Sequence, residues 1–175
     1  MTKPLNRRAL ILVSAALPLA GCAQAPSAPP AWSARPESLT GRWVYRSFIN
    51  SADSADDFGK LRLAVALIEI SPFGGSDFKG SITTERWQLS IAGQLHSDGR
   101  FNFRASQGSS NTAGWIYDYV GWVAPKWEPA AEHKTALEQV PTLVGTMLRV
   151  LDHDNLRGGL SKGGQTYSFI AVRQA

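Results

Sequence analysis

One cysteine, Cys22, stands in a chain of 175 residues. No intrachain disulfide can form, so the fold has to rest on packing and backbone pairing. Long apolar runs are missing too. The longest, Ala9 to Ala20, falls short of the about 20 residues that cross a bilayer as a helix. Histidine is scarce: His96, His133 and His153 are the full set. Asp152-His153-Asp154 is the nearest approach to a metal-ligand cluster. Adjacent extended residues point to opposite sides, however, and no second His or Cys is near in sequence, so the segment reads as a solvated loop. No metal or other cofactor is expected. Ser109-Ser110-Asn111 lacks the setting of a catalytic serine. Gly158-Gly159 and Gly163-Gly164 lack the strand-to-helix context of a phosphate loop and read as turns.

Acid is absent at the start, where Lys3, Arg7 and Arg8 precede the apolar stretch and Glu37 is the first carboxylate. A basic start, a short apolar middle and small residues at Leu19-Ala20-Gly21-Cys22 describe an export signal rather than a membrane span. Those four residues resemble the lipobox of bacterial lipoproteins. The resemblance implies cleavage ahead of Cys22, a signal over residues 1–21, and a diacylglyceryl (with palmitate-type acyl) anchor on the Cys22 thiol and amino group. Each buried methylene contributes about 0.8 kcal/mol, so several acyl chains hold durably. The Arg7-Arg8 pair is similar in part to a twin-arginine export signal, with the general export route as the alternative. Residues 22–38, rich in Ala, Pro and Ser, read as a spacer holding a domain off the membrane. In Gram-negative lipoproteins an Asp after the cysteine favours inner-membrane retention. Ala23 therefore implies the periplasmic face of the outer membrane.

Removing the signal takes Lys3, Arg7 and Arg8 with it, and the net charge falls from +4 to +1. The basic excess belongs mainly to export, which removes the support for a nucleic-acid partner. Residues 39–175 suffice for one domain with its own core. They hold all seven Phe and all four Tyr, residue types that favour strands.

From Leu39 onward, short alternating apolar runs separated by turn signals predict an all-β domain. Eight strands are expected: Thr40 to Ile49, Lys60 to Ser71, Asp77 to Glu85, Arg86 to His96, Arg100 to Ser106, Ala113 to Val123, Thr142 to Leu151 and Gln165 to Gln174. Asp98-Gly99 marks a tight hairpin. A polar insertion, Ala124 to Val140, is read as holding a helical turn or two around Ala130 to Gln139. Eight consecutive antiparallel strands close into an up-and-down barrel with no free edge, and a β-sandwich is the alternative. A barrel of this size is filled by side chains or holds one small ligand.

Leu39-Thr40-Gly41-Arg42-Trp43 resembles the Gly-X-Trp opening of the calycin barrels and is closest to the Leu-Thr-Gly-X-Trp of avidins. Phe78-Lys79-Gly80-Ser81-Ile82 is similar to the third avidin strand. The resemblance implies that Trp43 closes one end of the barrel and that Arg173, near the end of the last strand, packs over it. Tyr45 stands where avidin-type biotin binding needs a small polar residue, so the likeness implies a fold and not biotin. The domain also resembles a group of bacterial lipoproteins through Leu39 to Phe48 and Ser168 to Val172, a likeness that supplies no activity.

Trp115-Ile116-Tyr117-Asp118-Tyr119-Val120-Gly121-Trp122 is the unusual feature. With Trp115, Tyr117 and Tyr119 inward, their rings and hydroxyls line a ligand cavity. With Asp118 and Trp122 inward, Asp118 becomes a buried polar anchor. Tyr45 and Trp87 join the lining if their registers agree, since a slip of one residue reverses a face. The reading that follows is a non-enzymatic envelope module for a small, partly apolar ligand or a protein partner. The alternatives are an enzyme using Asp118 with Tyr117 or Tyr119 as acid–base groups, and a structural or assembly factor. No residue is assigned to catalysis.

Overall fold

The computed structural model describes residues 39–124 and 141–174. The expected export signal, Cys22, the expected spacer and the expected helical turns of the insertion lie outside these residues. Eight long strands form a closed barrel: β1 (Gly41–Ile49), β2 (Arg62–Pro72), β3 (Asp77–Thr83), β4 (Gln88–Leu95), β5 (Arg100–Gln107), β6 (Ile116–Ala124), β7 (Thr142–Arg149) and, last in the chain, β10 (Thr166–Arg173). Each strand pairs antiparallel with its chain neighbours, and β10 closes the circle on β1, Trp43 opposite Arg173 and Ile49 opposite Tyr167. This closure rules out the sandwich. A two-stranded ribbon, β8 (His153–Asp154) with β9 (Leu160–Ser161), sits in the connection from β7 to β10.

The alternation read in the sequence is the alternation of burial. Phe101, Phe103 and Ala105 of β5 face in, as do Leu89, Ile91 and Leu95 of β4. Asp98 shapes the β4–β5 turn by accepting from the Arg100 amide at 3.1 Å, while Gly99 takes φ +84°. Strand starts differ by a residue or more where a cap intervenes. Lys60 and Leu61 belong to a helical turn, α1 (Phe58–Leu61), because the Asp57 carboxylate accepts from the Gly59 amide and holds the chain out of the ladder. Ala113, Gly114 and Trp115 precede β6, held by a 3-10 turn at Ser110–Thr112.

The two ends of the barrel are built differently. At the end where β1 begins, Trp43 is fully buried and donates through Nε1 to the Leu39 carbonyl at 2.9 Å. The Arg173 guanidinium lies 5.6 Å from the Trp43 ring and donates to the Thr40 carbonyl. Phe78, Leu95, Phe101, Val123 and Leu143 fill this half. Two facing glycines, Gly121 and Gly145, make room for the rings. A Cβ on Gly121 would lie 2.8 Å from Phe101 Cζ, and one on Gly145 would lie 3.0 Å from Phe169 Cε1. Bare backbone at both positions lets the aromatic plug lie against the wall. At the opposite end the interior is hollow.

Candidate functional site

Three side chains form the floor of the hollow half. Tyr45 of β1, Tyr119 of β6 and Met147 of β7 point inward at the same depth. Tyr45 Oη donates to Met147 Sδ at 3.6 Å, which leaves the Tyr119 hydroxyl as donor across the 3.5 Å to Tyr45. Below them Phe103 stacks on Tyr119 with centroids 4.3 Å apart. Burial pushes the Tyr45 phenol up to about 12 and raises Tyr119 well above its ordinary value. Both are neutral phenols at physiological pH, polar points in an apolar floor.

Above the floor lies a cavity of about 460 Å³, within the range of small-ligand sites. Trp87 and Trp115 form one wall, ring centroids 5.9 Å apart. Trp115 is presented by the 3-10 turn before β6, where the buried Thr112 hydroxyl accepts from the Gly108 and Ser109 amides and faces the Gln88 carbonyl at 3.0 Å. Ser109-Ser110-Asn111 therefore has a structural role: Asn111 Nδ2 donates to the Arg86 carbonyl at 2.6 Å. The turn fixes the corner between β4 and β6.

The ribbon of β8 and β9 roofs the cavity. Trp115 Nε1 donates to the Asp154 carbonyl at 3.0 Å, and His153 stacks on the Trp115 ring at 4.5 Å. His153 Nδ1 donates to the same carbonyl at 2.9 Å, so Nε2 is the acceptor for the Tyr117 hydroxyl at 2.6 Å. Desolvation, with help from nearby Arg149, holds the His153 pKa below its usual value and keeps the ring neutral. Tyr117 is raised by burial, against the pull of the Arg149 guanidinium. Leu156, at the tip of the ribbon, packs down on the core and lines the cavity.

The structure brings together Tyr45, Trp87, Trp115, Tyr117 and Tyr119, which the sequence nominated. It separates Asp118 and Trp122 from them. With Tyr117 and Tyr119 inward, the period of two puts their neighbours on the outer wall. Trp122 is 54% exposed there. Asp118 forms a two-pronged ion pair with Arg104 of β5, at 2.7 and 2.8 Å, which lowers its pKa. Its carboxylate cannot serve the cavity, and the acid–base pairing of Asp118 with a tyrosine is corrected accordingly. His153 is a second correction. Expected in a solvated loop, it is 6% exposed, because the ribbon folds back over the barrel mouth and the indole of Trp115 covers it.

Ser47, Met147, Arg149 and Leu156 line the cavity without having been singled out. The Ser47 hydroxyl is buried with no hydrogen-bond partner among the described residues. Arg149 carries on the inward alternation of Leu143 and Met147, a signal present in the sequence but masked by its charge. Its Nη1 donates to the Lys162 carbonyl at 3.0 Å and to Gln165 Oε1 at 2.6 Å, tying the return of the ribbon to β7. No group of three or more potential metal ligands occurs among the described residues. No helix among them is long and apolar enough to cross a membrane. Comparison with family models, with curated proteins and with solved structures finds no match.

Proposed function

We propose that this barrel is a binding module that takes a small, partly apolar ligand into its hollow half, and that a lipid on Cys22 tethers it to the cell envelope. The observation that carries the binding reading is the contrast between the two ends. One is plugged with aromatic rings. The other keeps about 460 Å³ open above a floor of two neutral tyrosines, roofed by a pinned ribbon. A barrel that served only as a scaffold gains dispersion energy by filling that volume, since protein interiors pack like organic crystals. The lining supports binding rather than proton transfer: both ring nitrogens of His153 are engaged and Asp118 lies outside.

The tether reading rests on the lipobox likeness of Leu19 to Cys22 and the spacer that follows. It places the domain on the periplasmic face of the outer membrane, with no nucleic-acid partner. A protein partner is the second reading. It is favoured by Val120 and Trp122, two large apolar side chains exposed side by side on the outer wall of β6.

Native mass spectrometry of the protein purified from its own host tests the ligand. A small molecule that co-purifies in sub-stoichiometric to full occupancy, and is released on unfolding, is the expected result. Repeated preparations of bare protein, with no mass shift on adding extracted host lipids and metabolites, would sink the reading.

A further inference from the structure

Resting on the cavity reading, we infer that the ligand is an amphipathic anion, an apolar body with a carboxylate or phosphate head, and that its head is received by Arg149 and the cationic mouth around it. The charge distribution argues for this. The lining holds Lys60, Arg62, Arg86, Arg149 and Arg157, and no Asp or Glu. The export-trimmed chain is nearly neutral, so the concentration of cations at one opening is not a reflection of overall composition.

Four of the ten acids among the described residues pair with cations outside the lining. Glu69 pairs with Arg42, Asp98 with Arg100, Asp118 with Arg104 and Asp152 with Lys162, all on exposed surface. None of the five mouth cations forms an ion pair among the described residues.

Arg149 sharpens the point. It is 6% exposed, its Nε has no hydrogen-bond partner among the described residues, and its Nη1 contacts are a backbone carbonyl and an amide oxygen. Its guanidinium lies 5.1 Å from the Tyr167 ring and 5.9 Å from the Tyr117 ring, aromatic faces that stabilise a cation without neutralising it. A buried charge lacking a counterion carries a desolvation penalty that a bound anion offsets. The neutral His153 and the raised phenols add no negative charge beside it. An acid head near Arg149, with its body over Tyr45, Tyr119 and Met147 and between Trp87 and Trp115, meets each of these surfaces with its chemical complement.

A matched set of ligands tests this on the full-length protein. Dodecanoate, dodecyl phosphate, dodecanol and dodecylammonium share one body, and a naphthyl series with the same heads covers a flat body. Binding is followed by quenching of tryptophan fluorescence and by calorimetry. The anions should bind at least about tenfold more tightly than the alcohols, the value of a charge-assisted hydrogen bond, and the ammonium compounds most weakly. Comparing carboxylate with phosphate identifies the head. The preference for anions over alcohols should fall at least about tenfold on Arg149→Gln.

Should Arg149→Gln fail to melt cooperatively, Arg62→Gln with Arg86→Gln and a salt titration replace it, and the preference must fall in both. Equal affinity for anion and alcohol overturns the acid-head inference and leaves the cavity reading standing. Preference that survives both sets of substitutions also overturns it. Failure of every ligand in both series to bind overturns the cavity reading itself.

Discussion

Single residues decide how each end of the barrel behaves. Trp43 combines full burial, a hydrogen bond to Leu39 and the overlying Arg173. Trp43→Ala should cost about 3–5 kcal/mol, as large-to-small changes at closed core sites do. Denaturant midpoints with unchanged slope check it, and a loss under 1 kcal/mol would show that the end is not held there. His153 sets a pH dependence. Its pKa is lowered in the folded state from 6.5, so the unfolded chain binds the proton more readily. Its contribution is therefore complete above pH 6.5 and is lost as pH falls below it. Arg149, Asp152 and Asp154 are the charged groups around the ring, with Arg149 opposing protonation. Asp98, Asp118 and Asp152, lowered from 3.8, act only at more acidic pH. His153→Gln should flatten the stability profile as pH falls below 6.5, where the unfolded histidine takes up its proton and the folded one resists it. Identical slopes in the two proteins would refute the assignment.

At the scale of elements, the roof is the part to probe. The ribbon of β8 and β9 has few ladder bonds of its own and is held by side chains from the barrel: Trp115 and Arg149 above all. Trp115→Phe keeps the ring over His153 and deletes the bond to the Asp154 carbonyl. Its global cost should be about 0.5–1.5 kcal/mol, the net value of one hydrogen bond. The local effect should be larger. Amide exchange at Asn155 and Gly158, whose bonds lie within the ribbon, should accelerate, while exchange in β5 and β6 stays as it was. Uniform acceleration everywhere would mean that the ribbon opens only with the barrel.

For the whole molecule, closure and hollowness act in opposite directions. The circle from β1 to β10 leaves no unpaired edge to recruit another chain. The open half forgoes packing that the plugged half has, so occupancy should show as stability. A ligand at one hundred times its dissociation constant should add about 2.7 kcal/mol, seen as a rise in melting temperature that scales with the logarithm of its concentration. A ligand bound at the outer wall would give the same rise, but Trp122→Ala would abolish it and Tyr119→Phe would not. The proposed tether is tested at this scale too. Cys22→Ser should release the domain from envelope membranes and remove acyl labelling, with its barrel unchanged.

The eight barrel strands were legible from alternation and turn signals, because a half-buried strand must place apolar residues at every second position; the short β8 and β9, read as loop, were not. The hairpin at Asp98-Gly99 was equally plain, since few residue pairs accept those dihedrals. Alternation made five of the cavity-lining residues candidates, with their registers left open. It did not decide which face of β6 turns inward. Tyr117 and Tyr119 compete there with Asp118, Val120 and Trp122, and either set satisfies a strand read in isolation. Only the neighbouring strands settle it: Arg104 waits on the outer face of β5 to pair with Asp118, and Phe103 waits on the inner face to stack on Tyr119. His153 was illegible, and the inward alternation of Arg149 overlooked, for a related reason. A polar residue in or beside a loop reads as solvated until a distant element covers it, and the covering contact between the ribbon and Trp115 joins residues far apart in the chain. Sequence determined the barrel's strands, because alternation is a local property, and left their closure to the pairing of β1 with β10. Tertiary structure decided which half is hollow and that its mouth is cationic, because burial depends on what the rest of the chain brings alongside.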